Sequence, residues 1–295
     1  MSKGTGYAVG AYVIWGLLPV YWKWLQHVPA LQLLSHRVLW SFLCLIIVIG
    51  VSGRWKAFKS AIRTPRVLRP YIVAGILLGV NWLTYVWAVN AGFMVETSLG
   101  YFINPLLSVV LGVVFLGERL RPGQWVPVGL AAIGVLYLTF VYGSLPWIGL
   151  TLALTFGVYG LIKKLASLDS LNGLTVETGI LFLPVLAYLV VVDRMGTGVF
   201  LHTSLVSDLL LVGAGAVTAF PLLMYAAATE YIPLSVIGIL QYITPTLQFL
   251  LGVLAYGEPF PKTRLVGFAI VWIALIIFAV EGFLARLRRS TARAE

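Results

Sequence analysis

Long apolar runs, separated by short charged, glycine- or proline-bearing punctuation, set the pattern of this chain. The runs fall at 6–25, 31–51, 70–90, 94–116, 123–141, 146–164, 171–192, 206–228, 235–256 and 265–284. Each is close to the roughly 20 residues that carry a helix across hydrocarbon. Most are apolar on every face, as suits a helix bathed in lipid or packed within a bundle. The pattern predicts an all-α membrane protein with ten transmembrane helices.

Composition points the same way. Apolar residues make up 60% of the 295 positions and charged residues 10%, too few charges to clothe a water-facing surface. No polar stretch approaches domain size. The single cysteine, Cys44, sits inside the apolar run from Phe42 to Ile49, which excludes an intrachain disulfide and a cysteine-based metal cluster; it reads as a small buried hydrophobe. Lys3 precedes an apolar run without a small-residue cleavage site, so that run is read as a retained first helix. The net charge of +10 does not indicate a nucleic-acid partner, because the charges lie in short segments between apolar runs and build no soluble basic face.

Those basic residues fix an orientation. With the N-terminus in the cytoplasm and the helices alternating, the inner side holds Lys3, the six from Arg54 to Arg69, Arg119, Arg121, Lys163, Lys164, Arg286, Arg288, Arg289 and Arg293, which are 15 of the 20. Lysine and arginine gather in cytoplasmic loops, so both termini are expected inside.

The chain also resembles itself. Shifted by 140 residues, Tyr101–Leu120 falls on Gln241–Phe260, with Pro105/Pro245, Gly112/Gly252, Gly117/Gly257 and Glu118/Glu258 among the identities. A shift of 141 places Trp15-Gly16 on Phe156-Gly157 and Lys23 on Lys164. The halves are then 1–142 and 143–295, the second carrying the basic tail, each with five helices. Five is odd, so the second half enters the membrane inverted. Two similar halves related by an axis in the membrane plane can open a shared cavity to either side in turn.

The segments YVIWGLLPVYWK (12–23), HRVLWSF (36–42), NWLTYVWAVN (81–90), ETSLGYFINPL (96–106), FLGERL (115–120), FGVYGLIKK (156–164), PLLMYAAAT (221–229), QYITPTLQFLL (241–251) and YGE (256–258) together resemble the RarD-like permeases of the EamA family, drug/metabolite transporter superfamily. The resemblance implies a bacterial cytoplasmic-membrane protein of ten helices in a 5+5 inverted repeat. It also implies a cavity between the halves that admits metabolites, amino acids or drugs, often for export.

Ionisable groups inside a membrane are costly unless paired or hydrated, which makes them functional candidates. Lys23, His36, Arg37 and Glu96 fall in the outer half, and Glu177 lies about two turns into the seventh helix. Glu96 is expected to neutralise Arg37 or Lys23. Such a pair is either a structural tie between helices or a group that holds a charged substrate, with Glu96 or His36 as carrier of a coupling proton. Glu177 reads as a helix-to-loop ion pair with Lys163 or Lys164 or as an inner counter-gate, and the two lysines as interfacial. Pro105 and Pro245 each free a backbone carbonyl and kink their helix; that carbonyl needs protein or a wet cavity around it. They are candidate hinges, with Tyr101, Asn104, Gln241 and Tyr242 beside them as cavity candidates. Of the mid-span aromatics, Tyr12 is a further candidate, and Trp15, Trp82, Tyr85 and Tyr225 lie on helices where the family builds its cavity. Gly117-Glu118 and Gly257-Glu258 read as caps and loop ties.

No G-x-x-x-x-G-K-[ST] stretch occurs, so no ATP site is expected, and no cofactor or metal. The expectation is a secondary transporter, working as a monomer among membrane lipids, that exports small amphipathic or amino-acid-like compounds or drugs. A membrane-embedded transferase and a passive channel are the alternatives. His27, His36 and His202 are too scattered in the sequence for acid–base or metal chemistry.

Overall fold

The computed structural model describes residues 2–91, 93–143, 145–257 and 262–291; the side chains of residues 61, 90, 94–96, 142, 262–264 and 286–291 lie outside that description. Every regular element among the described residues is helical: α1 (Lys3–Trp24), α2 (Ala30–Val51), α3 (Trp55–Ile62), α4 (Pro65–Asn90), α5 (Met94–Leu116), α6 (Pro122–Tyr142), α7 (Trp147–Leu165), α8 (Ser170–Arg194), α9 (Leu205–Tyr231), α10 (Leu234–Leu240), α11 (Ile243–Leu250) and α12 (Lys262–Thr291). Nine spans among the described residues are long and apolar enough to cross a membrane, with Leu234–Ala255 counted as one. The chain is a multi-pass membrane protein. The 22-residue α1 is not among the nine; tyrosine, tryptophan, glycine and its lysines dilute its apolar character.

Each expected run corresponds to a helix, with two departures. The short α3 follows α2 where a plain loop was expected; its lysines alternate with a buried Phe58, and Lys59 lies 5.4 Å over the Trp55 ring. The ninth run is not one helix. It divides into α10 and α11 at Gln241-Tyr242 and then widens into a π-helical turn, Leu251–Ala255. Pro245 has no N–H for the Gln241 carbonyl four residues earlier; the Thr244 N–H donates to that carbonyl instead, at 3.0 Å. Pro105, by contrast, leaves α5 continuous from Met94 to Leu116.

Polar ties define the two ends of the bundle. At one end, where Gly4 near the start of α1 packs on Ile232, Arg54 pairs with Asp169 at 2.7 Å and Arg121 with Glu281 at 2.9 Å. There the Glu118 carboxylate accepts the Leu234 and Ser235 N–H groups at 2.6 and 2.9 Å, capping α10 across the molecule as a helix N-terminus favours. Lys164 donates to the Thr229 and Ile232 carbonyls at the end of α9. This is the basic end. At the far end Gln32 holds the α8–α9 loop through the Thr197 carbonyl and the Val199 N–H.

The expectation that Lys163 and Lys164 snorkel to headgroups is corrected here. Lys163 is buried and its Nζ lies 2.8 Å from Glu177 Oε1, a helix-to-helix pair between α7 and α8, while Tyr159 donates to the other carboxylate oxygen at 3.0 Å. Lys164 caps a helix end rather than reaching outward. Cys44 is half-buried.

Lipid tails supply no hydrophobic drive between helices, so they associate by close packing at small residues. The long contacts are α1 on α9 and α11, α2 on α8 and α9, α4 on α7 and α8, α5 on α7 and α10, and α6 on α12. Glycines set several of these: a Cβ on Gly238 would stand 2.6 Å from the Pro105 carbonyl, and one on Gly100 would stand 3.0 Å from the Gly149 carbonyl.

Two outcomes test this packing by thermal denaturation in detergent. Gly238→Ala should destabilise by about 1–3 kcal/mol, since α5 must give way, whereas Gly129→Ala, with open space around it, should be neutral or stabilise slightly. Glu177→Ala should cost about 3–5 kcal/mol by stranding a buried ammonium, and Glu177→Leu with Lys163→Met together should cost less than either alone.

Candidate functional site

The far-end half of the bundle encloses a cavity around Arg37. Position 37 lies seven residues into α2 and turns its guanidinium inward. Its Nε donates to Thr218 Oγ1 of α9 at 3.1 Å. The Trp22 ring of α1 lies 4.6 Å and the Trp82 ring of α4 5.5 Å from the guanidinium carbon. The Tyr85 and Tyr101 side chains are its other electrostatic neighbours, and their rings meet edge-on at 6.0 Å. Among the described residues no carboxylate pairs with Arg37. Arg37, Tyr85 and Tyr101 sit deep in the bundle yet retain accessible surface, so the space they border is internal; Trp22 and Trp82 are half-buried and Thr218 is buried.

Toward the basic end this space has an aromatic floor. Trp15, Phe156 and Tyr225, from α1, α7 and α9, lie with ring centres 5.3–5.9 Å apart. Tyr12 and Tyr159 flank them, the latter reaching down to Glu177. Tyr12, Tyr159 and Tyr225 are buried. Below lie the Lys163–Glu177 pair and the ties that close the basic end. Between the basic end and Arg37 thus lie cap bonds, a buried ion pair and packed rings.

The expected cavity residues differ in burial: Trp15, Arg37, Trp82, Tyr85 and Tyr101 are half-buried, whereas Tyr12, Asn104, Tyr225, Gln241 and Tyr242 are buried. Tyr242 donates to the Phe102 carbonyl at 3.1 Å, which ties the broken ninth span to α5 beside Pro105. Pro245 and Thr244 lie against α1, where the Thr244 hydroxyl donates to the Tyr12 carbonyl at 2.9 Å.

The charged candidates do not form one vestibule. His36, one residue from Arg37, faces the other way; its ring lies tilted against Phe200 of the α8–α9 loop at 5.1 Å and lines a groove of about 500 Å³ between α2 and α8. Lys23 is exposed and sits 3.7 Å over the Tyr256 ring. The Glu96 and Glu258 side chains lie outside the described residues. Glu177 is at the opposite end from Arg37. No three His, Cys, Asp or Glu side chains among the described residues gather as a metal site would require.

Sequence reasoning passed over Trp22, Thr218 and Phe156. Trp22 and Phe156 stand within the motifs YVIWGLLPVYWK and FGVYGLIKK, and Thr218 is a hydroxyl in the middle of an otherwise apolar run. A search for polar atoms at the depth of Arg37 would have found it.

Residues 2–140 match the EamA-like transporter family. A protein of Vibrio cholerae named "Uncharacterized transporter" is 45% identical over 96% of this chain and 94% of its own length. The "Protein RarD" of Escherichia coli K12 is 43% identical over 98% of this chain and 97% of its own. In fold, a crystal structure of a protein 18% identical superposes with a TM-score of 0.70, over 95% of this chain and 97% of that one. With relatives named as transporters over nearly its full length, the chain belongs to the EamA-like transporter family, among the RarD-like permeases, and is a membrane transporter rather than an enzyme.

Proposed function

We propose that this protein is a secondary transporter that carries small amphipathic compounds across the cytoplasmic membrane by alternating access, as an exporter and as a monomer. It crosses the membrane ten times, α1 included, as two inverted halves, 1–142 and 143–295, with both termini and the basic end in the cytoplasm. The cavity around Arg37 is the substrate site, seen closed toward the basic end.

The observation that carries the reading is the pairing of helices across the two halves. Counting α10, α11 and the π-turn as one span, α1–α9 is matched by α4–α7, α2–α9 by α4–α8, and α1–α11 by α5–α7. The contacts α2–α8, α5–α10 and α6–α12 each join a helix to its own counterpart. This is the pattern of a two-fold axis in the membrane plane, which makes two conformations of similar energy accessible to one chain. The basic residues at one end support the orientation. Amphipathic cargo is supported by a cavity of aromatic rings with one guanidinium and a few hydroxyls. Glu177, on the closed side, serves as gate, and Glu96 and His36 remain the candidates for a coupling proton.

Counterflow in vesicles tests the carrier. Trace labelled substrate should accumulate transiently against an unlabelled load. In a Cys44→Ser background, the pair Glu118→Cys and Ser235→Cys should form a disulfide that holds the basic end shut. Counterflow should then fall at least about tenfold on oxidation and return on reduction. Passage that persists with the disulfide formed contradicts alternating access.

A further inference from the structure

Resting on the reading of the Arg37 cavity as the substrate site, we infer that the substrate class is aromatic oxyanions, with a carboxylate, sulfonate or phosphate group on a planar apolar body. Arg37 is held as a receptor for an anion. Thr218 takes the Nε–H at 3.1 Å, and two indoles fix the guanidinium from 4.6 and 5.5 Å. The Nη groups donate to no described acceptor, and they are not among the sealed polar atoms; they open onto the cavity. A guanidinium offers a planar fork of donors that matches two oxygens of one anion. An unmatched cation inside a membrane protein is costly, and the anion removes that cost only while bound.

The rest of the lining selects within anions. Trp82, Tyr85, Tyr101 and Trp15 present ring faces and edges to a planar body. The phenol hydroxyls of Tyr85 and Tyr101 stand near the guanidinium and can donate to the same oxyanion. Among the described residues nothing in the cavity carries negative charge to pair with a substrate ammonium. A zwitterionic amino acid or a cationic drug fits this field less well than an anion of the same shape.

Four indoles that differ only in their polar end test the class: indole-3-acetate, tryptophan, tryptamine and indole-3-ethanol. Binding is read from thermal stabilisation of the purified protein, and transport separately from counterflow in vesicles. Indole-3-acetate should bind at least about tenfold more tightly than the other three. Arg37→Gln should remove that preference while leaving the weaker binding of indole-3-ethanol unchanged; Arg37→Lys should restore part of it. Glu96→Gln should keep the anion first. Tighter binding of tryptophan or tryptamine, a tryptophan preference that Glu96→Gln abolishes, or an equal loss for all four indoles in Arg37→Gln overturns the assignment, and so does the absence of any stabilisation. Arginine-dependent anion binding without counterflow leaves the class standing and removes the carrier reading. Counterflow of the neutral indole untouched by Arg37→Gln, without anion preference, does the reverse.

Discussion

Helices in hydrocarbon gain little by hiding apolar surface from one another, because lipid tails are as apolar as leucine. What holds this chain together is therefore backbone approach at positions without a side chain. Gly75 lies against the Glu177 backbone, Gly100 against Gly149, Gly215 against the backbone of Trp40 and Ser41, and Gly238 against Pro105. Each of these joins residues before 143 to residues after it. The two parts of the chain are thus one packed body. Smooth contacts of this kind also let helices slide or tilt with little loss, which a carrier must do.

Polar groups are placed where that body must open and close. At the basic end every described charge in the interior is spent on a partner: Glu177 on Lys163 and Tyr159, Lys164 on the end of α9, Glu118 on the start of α10. In the proposed cycle, closing this end satisfies all of them at once, and opening it would expose them to water, which would satisfy them again. At the far end Arg37 is served by a hydroxyl and aromatic rings, with donors left over. On the proposed reading, the difference between a saturated end and an unsaturated cavity gives a substrate its role: it completes one site and so shifts the balance between the two closures.

Much of this was legible in the sequence, for definite reasons. Helix positions follow from apolar length. Arg37 stood out because a deep arginine is rare. What escaped was rotational. His36 and Arg37 are neighbours in sequence but about 100° apart around a helix, and only tertiary packing says that one meets Phe200 and the other Thr218. Lys163 and Lys164 show the same division between a buried pair and a helix cap. Burial likewise separates Tyr101, which is half-buried, from Gln241 at the repeated position, which is buried. The break at Gln241 and the continuity at Pro105 arise from different neighbours around the same residue type.

The central claim is that one cavity is reached from one side at a time. The direct measurement is the reaction rate of single cysteines with a membrane-impermeant thiol reagent, in a Cys44→Ser background, applied separately to each face. Tyr101→Cys reports the cavity and Ala228→Cys the sealed core beneath the aromatic floor, where Ala228 has no exposure. As substrate or gradient is varied, a carrier should show the two rates moving in opposite directions, Tyr101→Cys from the far face and Ala228→Cys from the basic face. Rates that rise together, or a position labelled from both faces at once, would describe an open pore and contradict the account.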